Sequence, residues 1–274
     1  MDTQRTPARQ SISVRIADDL RIKIEQGELR AGDSLPTLHE ITRDYDTSMA
    51  SARAAVALLK QQGLVVGGRG VAPRVRPKPR RIERSSERHQ AEKDLVRQPE
   101  DVRRGHGLAE DDIGDALDQF SFEPRYSIVP ADIDLADAFR VPEGTTLLRR
   151  EYVHRDKRTG ALDAKSISWL LNDVVSANPK ISDLKEAAWP GGTMHQLYTV
   201  GIEVDHVIDY VTAAMPTTVE IEEWNLVAGT PLLLVRRVSI DTNERVVEVS
   251  DAQYPADRTM LTFHTPLKRW EESE

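Results

Sequence analysis

The stretch from Thr47 to Gly70, TSMASARAAVALLKQQGLVVGGRG, leaves few local structures open. Ser48 is a good helix cap and Gly63 a good helix stop. Between them Ala52, Ala55, Val56 and Leu59 fall on one face at helical spacing, which predicts a helix from Ser48 to about Gln62. Met49, Ala50 and Arg53 fall on the neighbouring face. Small residues there let a bulky partner come close to the helix backbone, and Arg53 supplies a planar cation. The next residues, Leu64-Val65-Val66, Gly67-Gly68-Arg69-Gly70 and Val71 to Val75, read as a β-hairpin with Arg69 at its tip.

Upstream, Ile12, Ile16, Leu20 and Ile24 step by four after Ser11, so a first helix runs to a stop at Gly27. Thr37 and Glu40 have capping-box spacing, which predicts a short helix from about Leu38 to Tyr45. Two helices joined by a short turn and followed by a hairpin make a winged helix-turn-helix, a module that lays its second helix in the DNA major groove. Charge agrees. Met1–Ile82 carries 15 Lys+Arg against 9 Asp+Glu, a net +6, whereas the remainder is −14, giving −8 for the 274 residues. A basic head on an acidic body fits a polyanion-facing module.

From Ser13 to Gly70 the chain resembles the winged helix-turn-helix of GntR-type bacterial transcription regulators. The GELRAGDSLP loop, the TSMASAR turn into a helix, the ALLKQQGLV segment and the glycine-arginine wing stand in the family's order. The resemblance implies DNA contacts at Thr37, His39, Ser48, Met49, Ala50, Ser51, Arg53, Arg69 and Gly70. The family usually has arginines where His39 and Met49 stand, so a different operator sequence is implied, with Arg53 and Arg69 carrying more of the contact.

Residues 11–76 are therefore the expected DNA-binding domain and 77–119 a linker. Arg76–Arg104 is charged and patternless, Pro77 and Pro79 bar a regular helix at its start, and a short helix over Arg80–Leu95 is open but has no strong apolar stripe. Residues 120–270 form the expected second domain. Its pattern alternates strands, hairpin turns (Lys157–Gly160, Thr242-Asn243) and short helices, so the chain is α+β with an antiparallel sheet. VPEGTTLLRREYV, GTPLLLVRRVSID and VVEVSDAQYPADR resemble the UTRA domain, the effector-binding module of the HutC branch of GntR regulators, which shares its fold with chorismate lyase. The resemblance implies a pocket for a small, anionic effector, built at Ser127, Arg149, Arg150, Thr193, Glu248 and Tyr254. Lys165 also belongs to that set, but stands where many members have glutamate. Arg149 and Arg150 are adjacent on a strand, so at most one faces a pocket.

Enzyme signals are weak. His154-Arg155-Asp156 imitates a kinase loop without its following asparagine, and no G-x-S-x-G occurs. Cysteine is absent and the seven histidines form no H-x-x-x-H pair, so neither disulfides nor a zinc site is expected. No cofactor, signal peptide or membrane span is expected either. The chain reads as a cytoplasmic repressor: a homodimer on a palindromic double-stranded operator, released by a small-molecule effector. Rival readings are a regulator of plasmid transfer or maintenance genes whose second domain only dimerises, and a chorismate-lyase-like enzyme fused to a DNA-binding head.

Overall fold

The computed structural model describes residues 10–67, 72–79, 81–104, 112 and 119–267. The chain divides into two compact units: residues 1–79 with 215–222 and 226–230, and residues 80–214 with 223–225 and 231–274.

In the first unit, hydroxyl side chains start the three leading helices. Ser11 accepts from Val14 N–H at the head of α1 (Ile12–Glu25), and Ser48 accepts from Ser51 N–H at α3 (Met49–Gln61). Thr37 and Glu40 close the expected capping box at α2 (Leu38–Asp44). Gly63, at φ 68°, turns the chain out of α3 into β1 (Val65–Val66), which pairs antiparallel with β2 (Arg74–Val75). Ile16, Leu20, Ile41, Ala52, Ala55 and Leu59 form the core with Val65 and Val75. The hairpin tip, with Arg69 and Gly70, lies outside the described residues.

The second unit begins with β3 (Ile82–Ser85), α4 (Arg88–Leu95) and α5 (Glu100–Arg103). After β4 (Phe120–Pro130) come α6 (Ile133–Phe139), β5 (Thr146–Asp156), β6 (Leu162–Leu171), α7 (Asn172–Val175) and α8 (Gly192–Tyr198). Then follow β7 (Val204–Ala214), β8 (Leu232–Asp241), β9 (Val246–Pro255) and β10 (Thr259–Thr262), whereas α9 (Thr218–Glu223) belongs to the first unit as far as residue 222. Six strands make one antiparallel sheet in the order β4-β5-β6-β9-β8-β7. Aspartates tie its hairpins: Asp156 Oδ1 accepts from the N–H of Arg158 and Thr159, and Asp241 Oδ1 from those of Asn243 and Arg245.

Alternation along the strands gives the sheet two unlike faces. On one, Leu147, Val246 and Val249 bury against Leu135, Ala136 and Phe139 of α6. On the other, Leu148 and Leu170 pack with Leu197 of α8, while further along the same strands polar and aromatic side chains replace the aliphatic ones.

Part of the stretch read as a linker is folded. β3 pairs parallel with β10, from Ile82↔Thr259 to Ser85↔Thr262, and α4 packs against α8. Hydropathy gives no hint of α4, because its buried side is ionic: His89 and Glu92 are buried, and the Arg88 side chain is 9% exposed. Among the described residues no helix is long and apolar enough to cross a membrane, and no cluster of three His, Asp or Glu is placed to hold a metal.

Candidate nucleic-acid interface and ligand cavity

Helix α3 buries Ala52, Ala55, Val56 and Leu59, which leaves Ala50, Arg53, Ala54 and Ala57 exposed. Those four positions run i, i+3, i+4, i+7 and so form one stripe along the helix. Three members end at a methyl group. Arg53 stands alone among them and makes no ion pair or hydrogen bond among the described residues. A slim ridge with one free guanidinium can approach a groove floor closely and read a guanine edge or a phosphate. Met49 and Ser51 are half-buried beside the stripe. The Ser48 hydroxyl is spent on the cap of α3, where it also lies 3.1 Å from Ser51 Oγ. Thr37 and His39 are exposed at the start of α2, with the Thr37 hydroxyl donated to Glu40 at 2.8 Å.

The polar end of the inner sheet face borders a cavity of about 430 Å³. Ser166 and Ser168 of β6, Arg237 and Ser239 of β8, and Glu248 and Tyr254 of β9 border it from the sheet. Thr193, Met194 and Gln196 of α8 and Arg88, His89 and Glu92 of α4 enclose the other side. Behind this wall lies Arg150, 1% exposed. Its Nη2 donates to Glu248 Oε1 at 3.0 Å, Ser168 Oγ at 2.8 Å and Thr193 Oγ1 at 3.2 Å. Its Nε donates to Ser168 Oγ at 3.0 Å and its Nη1 to Gln196 Oε1. Glu248 is held on its other oxygen by the Ser239 hydroxyl at 3.2 Å.

The guanidiniums that border this cavity among the described residues are paired as well. Arg237 forms a fork with Asp209, at 2.8 and 3.2 Å. Arg84 and Arg88 share Asp112, and Arg84 also lies 3.6 Å from Asp163. Thus Arg84, Arg88, Arg150 and Arg237 meet Asp112, Asp163, Asp209 and Glu248, four charges against four. Glu92 adds a further carboxyl, which accepts the Met194 N–H at 3.1 Å. Burial pushes that carboxyl up to about 7, against the lowering effect of the same N–H. Burial likewise holds the His89 imidazole below its ordinary value despite Asp209, so it is the neutral form that lines the wall.

Of the residues assigned to the effector site from sequence, Thr193, Glu248 and Tyr254 line this cavity, and Arg150 lies directly behind it. Ser127, Arg149 and Lys165 do not, and strand parity is the reason. Ser127 is the cross-strand partner of Arg149, and Lys165 of Val153, all at outward positions. There Glu151 binds Arg149 at 2.8 Å and Lys165 at 3.4 Å. Arg150, assigned from the resemblance to the effector site, already donates to Glu248. Sequence reasoning missed Arg84, Arg88, His89 and Glu92 because they fall in the stretch taken for a linker, and no local motif marks them.

Two family models match the chain: the one described as bacterial regulatory proteins, gntR family, over residues 4–75, and the UTRA domain over residues 124–259. A curated relative, described as an uncharacterized HTH-type transcriptional regulator of Rhizobium meliloti (strain 1021), is 27% identical over 262 residues, covering 91% of this chain and 93% of that protein. Among solved structures, one described as a GntR-family transcriptional regulator superposes with a TM-score of 0.70 at 26% identity, covering 94% of this chain and 99% of that one. PhnF from Mycobacterium smegmatis is 21% identical with a TM-score of 0.49, over 92% of this chain and 100% of that one.

Proposed function

The chain belongs to the gntR family of bacterial regulatory proteins and carries a UTRA domain, and from that premise we propose that it is a cytoplasmic transcriptional repressor whose operator affinity is set by a small molecule in the second unit. The observation that carries the DNA half is the exposed Ala50–Arg53–Ala54–Ala57 stripe, whose cation has no partner among the described residues. The head works as one of two in a homodimer, so the operator is a palindrome with half-sites on successive major grooves. A surface for the second copy is available. β7 is an edge of the sheet, and Ile208, Tyr210 and Val211 on it are 37, 56 and 40% exposed. The effector sits in the cavity bordered by Thr193, Glu248 and Tyr254 and acts by favouring a dimer geometry that fits the operator less well.

The test is binding of the purified full chain to duplex DNA from upstream of its own gene, followed by footprinting and a salt titration. A protected palindrome and an affinity that falls steeply with salt are expected. Arg53→Ala weakens specific binding by about 1–3 kcal/mol. Equal affinity of the variant and the parent for the protected site would refute the role given to α3.

A further inference from the structure

The chemical class of the effector can be read from the cavity wall, on the premise that the cavity is the effector site. We infer that it takes an uncharged molecule of one or two rings bearing hydroxyl or carbonyl groups, and rejects carboxylates and phosphates.

Charge is the first reason. Among the described residues, the three guanidiniums that border the cavity, Arg84, Arg88 and Arg237, and Arg150 behind them face four carboxylates at hydrogen-bond or ion-pair distance, and Glu92 stands beside them. An incoming anion finds each of these guanidiniums already beside a carboxylate. It would have to shed its water and then either break a buried pair or sit unpaired next to Glu92 and Glu248, and both are costly. An uncharged ligand meets neither cost.

Shape is the second. Phe122 stacks on Tyr152 with ring centroids 5.4 Å apart, and both face the cavity, as do Trp189 and Tyr254. Flat apolar walls of this kind recognise ring faces. A volume of about 430 Å³ lies within the range of sites for small organic ligands.

Unmet hydrogen bonds are the third. The His89 side chain is 10% exposed, and neither of its ring nitrogens has a hydrogen-bond partner among the described residues; Nε2 stands 3.5 Å from Asp209 Oδ2. Arg84 Nε and Arg88 Nε are buried donors in the same condition. Buried polar atoms left without partners are costly, and here they belong to three residues that border the cavity. Guanidinium N–H groups donate to a carbonyl, and a neutral imidazole can both donate to and accept from a hydroxyl. The serines at 166, 168 and 250 add adaptable hydroxyls on the opposite wall.

Matched probes test the class directly. Indole-3-ethanol is compared with indole-3-acetate, and methyl 4-hydroxybenzoate with 4-hydroxybenzoate, on the full chain at neutral pH, by tryptophan fluorescence and ligand-observed NMR. Glucosamine 6-phosphate serves as the phosphate probe. The neutral member of each pair should bind at least about tenfold more tightly than its carboxylate, the ratio set by one pKa unit of charge discrimination. Ala252→Phe, which fills space between the walls, should abolish binding of the neutral probes; Ser250→Leu serves the same purpose should that variant fail to fold. A carboxylate or the phosphate binding as tightly as the neutral probes overturns the inference. So does the absence of saturable binding by any neutral probe up to its solubility, or neutral binding unaltered by a folded cavity-filling variant. Operator release by an anion would sink this inference and leave the regulator standing, whereas failure to bind DNA sinks the regulator and leaves the probe comparison readable.

Discussion

Glu92→Gln is the sharpest perturbation of the second unit, because it removes a charge while keeping shape. The carboxamide retains an oxygen for the Met194 N–H that Glu92 now accepts at 3.1 Å. Glu92 is buried, and its carboxyl is raised from 4.5 to about 7, with burial as the largest cause and Glu248 adding to it. The folded value lies above the unfolded one. Glu92 therefore contributes its full stability below about pH 4.5 and loses it as pH rises through about 7, because the folded chain must then hold the charge in its interior. A shift from 4.5 to about 7 is worth about 3 kcal/mol at 1.36 kcal/mol per unit. Glutamine has no such loss. The stability of the variant relative to the parent should thus rise by about 3 kcal/mol between pH 4.5 and pH 8 and be flat beyond, with other titrating groups cancelling in the difference.

Urea unfolding followed by tryptophan fluorescence measures this cleanly. None of the four tryptophans, Trp169, Trp189, Trp224 and Trp270, falls within the first unit, so the signal reports the second. A difference between variant and parent that is the same at pH 5 and pH 8, or larger in acid, would show that Glu92 ionises in the fold as it does in the unfolded chain. The account of α4 as a buried wall would then be wrong.

Two further substitutions separate stability from binding. Arg150→Ala leaves Glu248 buried without its cation and should cost about 3–5 kcal/mol in the same urea assay; replacing both, as Arg150→Met with Glu248→Leu, should recover most of the loss, and no recovery would mean the pair is not the source. Ala54→Leu sits on the exposed stripe of α3, so it should change the melting of the head by no more than about 0.5 kcal/mol while preventing close approach to DNA; circular dichroism and gel shift read the two effects, and undiminished operator binding would remove the steric argument.

The head was legible because its signals are local. Ile12, Ile16, Leu20 and Ile24 mark one face of α1, and the Thr37–Glu40 box and the Ser48 cap form where their spacing places them. The strands of the second unit were legible for the same reason, through alternation and through turns such as the one Asp156 closes. What the sequence hides is pairing at a distance. That β3 lies beside β10 depends on a parallel contact between segments at opposite ends of the unit, with no turn to announce it. The same holds for the assignment of Lys165 and Arg149 to an effector site. Each has suitable chemistry, but its direction is fixed by register, with Lys165 opposite Val153 and Arg149 opposite Ser127.

Helix α4 is the more instructive omission. Methods of reading that look for an apolar stripe assume that what is buried is apolar. In α4 the buried side carries arginine, histidine and glutamate: Asp112 pairs with Arg88 and the Met194 N–H with Glu92, while His89 Nε2 stands 3.5 Å from Asp209 without a hydrogen bond. Such a helix has little reason to form alone, and a short polar one is marginal in water. Its order depends on the cavity wall it completes. It follows that the state of the cavity and the order of α4 are linked, and a ligand bound against His89 and Arg88 must also stabilise α4. Hydrogen exchange at residues 88–95 should therefore slow when a neutral probe binds, and exchange there that ignores the probe would break the link between cavity and helix.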